Sequence, residues 1–137
     1  EGSWGVAGAF DPAADERSKA GDDYPARIYL VQGVSLWPWR TVALNYVWAS
    51  GMPAGADWPN AYVSQSHVVA VNSGAPDHAK PWVTQRRNLR DDFRRYFGRD
   101  VDFVDAVAIM TDCDDRAEMI EAWYGAVRFL PEDGGTF

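Results

Sequence analysis

Gly21-Asp22-Asp23-Tyr24-Pro25-Ala26-Arg27-Ile28-Tyr29-Leu30-Val31 is the stretch on which the fold turns. A glycine, two adjacent carboxylates and a proline lead into a run that alternates in character. Successive side chains of a strand point to opposite faces. Ala26, Ile28 and Leu30 therefore share one wholly apolar face, and Arg27, Tyr29 and Val31 share the other. The first face belongs in a core. The second carries an arginine and a tyrosine just beyond two aspartates, which makes it the place to expect a site.

Outward from this strand, the chain keeps changing direction. Trp4 and Val6 suggest a short strand near the start, and 11–22 is a polar loop with room for a helical turn at 13–19. Gly33 closes the strand Ala26–Gln32. Trp37-Pro38-Trp39 marks an edge or a loop, because proline cannot donate a ladder hydrogen bond. Thr41–Ser50 is the next strand, with Val42, Leu44, Tyr46 and Trp48 on one face. Gly51–Pro59 is a loop, Asn60–Val63 a short strand, His67–Val71 a β-branched strand, and Trp82–Arg87 a further candidate.

Asn88–Gly98 is the one clear helix. Leu89, Phe93, Tyr96 and Phe97 form a single apolar stripe. Asn88 suits the N-cap, Asp91 and Asp92 the first turn, and Gly98 the C-terminal stop. Phe103–Met110 is a strand, 111–117 an acidic turn, and Ile120–Leu130 the closing strand, with Trp123, Val127 and Phe129 expected toward the core. Around six strands and one helix, with turns at short intervals, predict an antiparallel sandwich or jelly roll.

Composition narrows the partners. The chain has 137 residues, 14% aromatic, with seven tryptophans and a net charge of −7. That charge disfavours duplex nucleic acid, which calls for a basic surface, and anionic membranes alike. No apolar run approaches the ~20 residues of a membrane-spanning helix. One cysteine, Cys113, excludes an internal disulfide and any multi-cysteine metal site. No leader is visible, so the chain is expected to be a processed product or part of a longer polypeptide.

The candidate chemistry is sparse. Asp22-Asp23 and the run Asp112, Asp114, Asp115 are the acidic clusters. Calcium takes six to eight oxygen ligands, so Asp22, Asp23, Asp112 and Asp114 are the metal candidates. The competing reading is solvated turn acids, or acids paired with Arg27, Arg86 or Arg87. His67 and His78 lack ligand spacing. There is no nucleophile elbow, phosphate loop or dinucleotide fingerprint. Cys113 lies between aspartates, which disfavour a thiolate. Trp37 and Trp58, beside prolines, are candidates for an exposed stacking platform, whereas Trp48 belongs with the core.

Five segments together carry a family resemblance: Gly21–Tyr29; Ala43-Leu44-Asn45-Tyr46-Val47-Trp48; Gln85-Arg86-Arg87-Asn88 leading into Asp91–Gly98; Ala108-Ile109-Met110-Thr111-Asp112; and Glu121-Ala122-Trp123-Tyr124-Gly125 with Arg128-Phe129. In this order the chain resembles, from Trp4 to Phe129, the bacterial family called domain of unknown function 3047. The resemblance implies a β-sandwich and export to the envelope, and implies no established activity. The closing strand is also similar to the last strand of carbohydrate-binding jelly rolls, but Gly125-Ala126-Val127 lacks the acid those modules carry. Members of the family have further strands before the region that begins at Trp4. Their absence here implies an incomplete sandwich, or strands supplied by another chain or cut away. An open edge strand would then seek a partner.

The resulting expectation is a mainly β chain: an antiparallel, jelly-roll-like (galactose-binding-like) sandwich with one flanking helix, lacking N-terminal strands. Residues 1–137 form a single domain, or the C-terminal part of a longer family domain. The favoured function is non-catalytic binding of a glycan or small polar ligand. Asp22, Asp23, Arg27, Tyr29, Asn45, Arg86, Trp37 and Trp58 are the candidate contacts, and calcium is the cofactor considered. A carboxylate-dependent hydrolase or lyase acting on glycans is one alternative. Assembly with a protein partner, or self-association through an open sheet edge, is another. The expected location is periplasmic or extracellular, and a cytoplasmic one also fits the single cysteine.

Overall fold

The computed structural model describes residues 1–12, 14–113 and 119–132. Asp114, Asp115 and most of the expected acidic turn lie outside the described residues. Among the described residues the chain is mainly β, with two sheets in a sandwich-like layout and one α-helix. In order the elements are β1 Gly2–Val6, β2 Ala26–Gln32, β3 Val42–Ala49, β4 Asp57–Pro59, β5 Ser66–Ser73, β6 Val83–Gln85, α1 Leu89–Phe97, β7 Ala106–Met110 and β8 Ala122–Val127. The large sheet runs β4-β5-β3-β2-β7 and the small one β6-β1-β8.

β2 begins and ends where its alternation does. It pairs antiparallel with β3 on one side and β7 on the other. The β3–β5 pair is parallel, so the large sheet is mixed rather than wholly antiparallel. Parallel neighbours need a crossover, and here residues 50–65, including β4, make it. β4 lies within a stretch expected to be loop. Its Pro59 is tolerated because β4 is an edge strand. The strand expected over Asn60–Val63 does not form. The Asn60 side-chain oxygen accepts from the backbone N–H groups of Tyr62 and Val63, at 2.9 and 3.0 Å. This local turn competes with any ladder.

One face of the large sheet carries the main core. Ala26, Leu30, Val42, Leu44, Tyr46, Trp48 and Val69 gather there with Trp4 and Val6 of β1 and Phe93 of α1. The helix is set as its sequence predicts: the Asn88 side chain accepts from the Asp91 N–H, and Gly98 ends it at φ 62°. Trp4 joins the layers, with its ring 6.3 Å from that of Trp48 and its Nε1 donating to Asn72 Oδ1 at 2.8 Å. The small sheet does not reach over β7. Val107 and Ile109 are in register with Leu30 and Ile28, yet both are exposed.

The opposite face of the large sheet holds a second cluster, Tyr24, Val47, Ala49, Trp58, Val68 and Ala70. Glu16 anchors a covering loop there. This buried carboxylate accepts from the backbone N–H groups of Ser50, Gly51 and Met52 at 2.6, 3.0 and 2.7 Å.

β8 departs from the expected facing. Tyr124 and Ala122 pack toward the main core, while Trp123 turns outward against Trp82. Between Tyr124 and Val127 the register with β1 shifts, so that Gly125 and Ala126 oppose Ser3. Such a bulge moves later side chains to the other face. Val127 accordingly returns toward the interior cleft with Phe129, and both remain partly exposed.

Candidate functional site

Arg27 is the centre of the polar face. It sits on β2, 2% exposed, with its guanidinium 4.5 Å from the Tyr24 ring centroid and 5.3 Å from that of Tyr29. Nη2 donates to the Asp22 carbonyl at 2.9 Å. The Asp22 and Asp112 carboxylates each approach the guanidinium at 3.8 Å. Cation–π contact and two acids compensate the burial of the charge. Arg27 Nε makes no hydrogen bond among the described residues.

Asp22, Arg27 and Asp112 line a cleft of about 450 Å³, with Tyr29, Asn60, Tyr62 and Ser66 completing its polar wall. Asn60 donates to Asp22 Oδ1 at 3.4 Å. Burial raises the proton affinity of the Asp22 carboxyl above the ordinary carboxylate range, and nearby Arg27 only partly offsets it. Burial likewise raises that of the Tyr29 phenol. Asn45 lies next to Tyr29 in the row Ala108, Tyr29, Asn45, Val68, Trp58 across the sheet. Its Nδ2 donates to Ser66 Oγ at 2.6 Å. Its Oδ1 is buried and makes no hydrogen bond among the described residues.

The structure therefore brings Asp22, Arg27, Tyr29 and Asn45 to one face, and adds Asp112 from a distant segment. It separates the rest. Asp23 is fully buried beside Tyr24 and does not line the cleft. Arg86 lies on the opposite side of the large sheet, at the second cleft. It follows β6 in the small sheet, so it cannot face β2 from the polar side. Trp58 is 3% exposed, packed on Tyr24 and donating to its hydroxyl at 3.3 Å; it is core rather than platform. Trp37 is 51% exposed and packs against the tilted ring of Trp39 with centroids 5.0 Å apart, but lines neither cleft.

Among the described residues no group of three or more histidine, cysteine, aspartate or glutamate side chains is arranged to hold a metal. Asp22 and Asp112 share a guanidinium where a cation would have to sit, which disfavours calcium between them. Asp114 lies outside the described residues. His67 is a strand residue, stacked on Tyr96 and hydrogen-bonded to Asp57 at 2.7 Å.

Asn60, Tyr62 and Ser66 are polar cleft residues that the sequence reading did not assign to the site, and Asp112 entered it only as a metal candidate. For Asn60 a signal existed, since an asparagine after a proline marks a turn. Pairing of the acids with Arg27 was one reading of the sequence; that Asp112 is the acid that joins Asp22 there depends on β7 pairing with β2.

A second cleft, of about 650 Å³, opens between the sheets beside the helix. Its wall includes Tyr46, whose hydroxyl donates to Asp92 Oδ2 at 2.5 Å. Arg87 grips the same carboxylate through Nε and Nη2 at 2.9 and 2.8 Å. The bonds from Asp92 stabilise the charged form of Arg87. Burial, followed by the Asp92 charge, pushes the Tyr46 phenol well above its ordinary value. No long apolar helix capable of crossing a membrane occurs among the described residues.

Compared with known proteins, residues 3–128 match the family described as "Protein of unknown function (DUF3047)". No curated protein and no solved structure matches the chain.

Proposed function

The chain belongs to the DUF3047 family, and from its polar cleft we propose that it is a non-catalytic binding domain for a small hydroxyl-rich ligand of the sugar class. The observation that carries this reading is Arg27: a buried guanidinium in the cleft wall whose Nε makes no hydrogen bond among the described residues. Buried donors are ordinarily paired, and a ligand hydroxyl fits that role. Asp22 offers acceptors, Asn60 can orient a hydroxyl, and the half-exposed Tyr62 ring offers a face for the apolar side of a sugar.

The test is calorimetric titration with galactose, glucose and glucuronate, alongside calcium chloride. Saturable sugar binding that falls at least tenfold in Tyr62→Ala, without a change in melting temperature, supports the reading. Equal binding by Tyr62→Ala, or none by the parent protein, overturns it.

A second reading, carboxylate-dependent cleavage of a glycan, draws on Asp22. Its raised proton affinity and the nearby Asp112 carboxylate resemble an acid paired with a base. Release of reducing ends, lost in Asp22→Asn, would favour it over binding alone.

A further inference from the structure

We infer that the cleft between the two sheets binds a single-chain anionic amphiphile of the fatty-acid class, at a site separate from the polar cleft. Its volume, about 650 Å³, falls within the roughly 300–1,000 Å³ of small-ligand pockets. Trp4, Leu30, Val71, Val104, Val127 and Phe129 supply apolar walls. The apolar lining runs out to an exposed lip at Phe103 and Leu130. An aliphatic tail matches this lining, because burying it removes apolar surface on both partners from water.

The head group is specified by the small sheet. Gln85 of β6 and Val127 of β8 both pair with Gly2 of β1. Arg86 and Arg128, each one residue further on, therefore emerge level at the end of the sheet, on either side of Glu1. Two interstrand steps separate them, roughly 10 Å. Both line the cleft. Two other arginines at this mouth are engaged: Arg87 by Asp92, and Arg90 by Asp102 and Glu132. The Arg86 and Arg128 side chains form no ion pair among the described residues. With Glu1 between them they keep a net positive charge, which suits a carboxylate head at the mouth of an apolar cleft.

Titration with dodecanoate below its micellar range, followed by calorimetry and by tryptophan fluorescence through Trp4, tests this. The expected result is one saturable site, at least tenfold tighter for dodecanoate than for dodecanol. The double variant Arg86→Glu/Arg128→Glu should lose that preference while keeping its melting temperature, since both side chains are exposed. Val104→Trp, which narrows the wall, should weaken both ligands together. Equal affinity for acid and alcohol, full binding by the double variant, or no saturation overturns the inference. A stable dimer by light scattering that dodecanoate leaves intact also overturns it, and assigns the lip to a second copy of the chain.

Discussion

The hydroxyl of Tyr124 donates to the carbonyl of Met110 at 2.7 Å and accepts the backbone N–H of Arg27 at 3.2 Å. One phenol on β8 of the small sheet thus ties down β7, the edge of the large one, where the small sheet gives no cover. Tyr124→Phe keeps the ring against Trp4 and removes these bonds together with a third, to Thr111 Oγ1 at 3.1 Å. A loss of about 1–2 kcal/mol is expected from denaturant unfolding. Amide exchange at Ala106–Met110 should quicken more than in β3.

Asp92 is held by both Tyr46 and Arg87. Arg87→Ala leaves a buried carboxylate without its counter-ion and should cost about 3–5 kcal/mol. Tyr46→Phe removes one of its bonds and should cost about 1 kcal/mol. A double-mutant cycle should find the two effects coupled; strict additivity would show that they act independently.

The tryptophans divide by burial. Trp58→Ala opens the second cluster and should cost about 3–5 kcal/mol. Trp37→Ala, on an exposed pair, should stay within about 0.5 kcal/mol. Similar losses at both positions would contradict the placement of Trp58.

Asp22 gives a pH signature. Burial raises its folded pKa above the unfolded value, so the folded protein holds the proton more tightly. Stability from this group is then fully present below the unfolded carboxylate pKa and is lost as pH rises through the folded one. Relative to Asp22→Asn, the parent protein should therefore lose stability as pH rises from about 4. A stability difference that is flat with pH, or slopes the other way, would refute it.

Gly21 opens the stretch that leads into β2 for a steric reason. A Cβ there would lie 2.2 Å from the Asp15 carbonyl oxygen. Gly21→Ala forces the backbone apart beside Glu16, and a loss of about 1–3 kcal/mol is expected by thermal unfolding.

Much of this fold is legible in the chain, and the limits have physical causes. β2 shows itself because its apolar and polar faces alternate without a break. The helix shows itself because Asn88, Asp91 and Gly98 act locally. The parallel β3–β5 pair does not, because strand partners are chosen across intervening chain. The facing of β8 is hidden by a bulge at Gly125–Ala126, which no alternation announces. Of the candidate site, the face shared by Arg27, Tyr29 and Asn45 follows from period two and register. The burial of Trp58 and the distance of Arg86 depend on how sheets and loops stack.

The central position of β1 in the small sheet bears on how the protein is made. β1 leaves the ribosome well before its two neighbours in the small sheet, β6 and β8, the latter ending at Val127. Trp4 and Val6 must therefore remain without their β8 partners until nearly all the described chain has been synthesised. Pairings across so long a span form slowly, and uncovered apolar strands invite aggregation in the interval. Nascent chains stalled before β8 should need a chaperone, because β1 then lacks one of its two neighbours in the sheet.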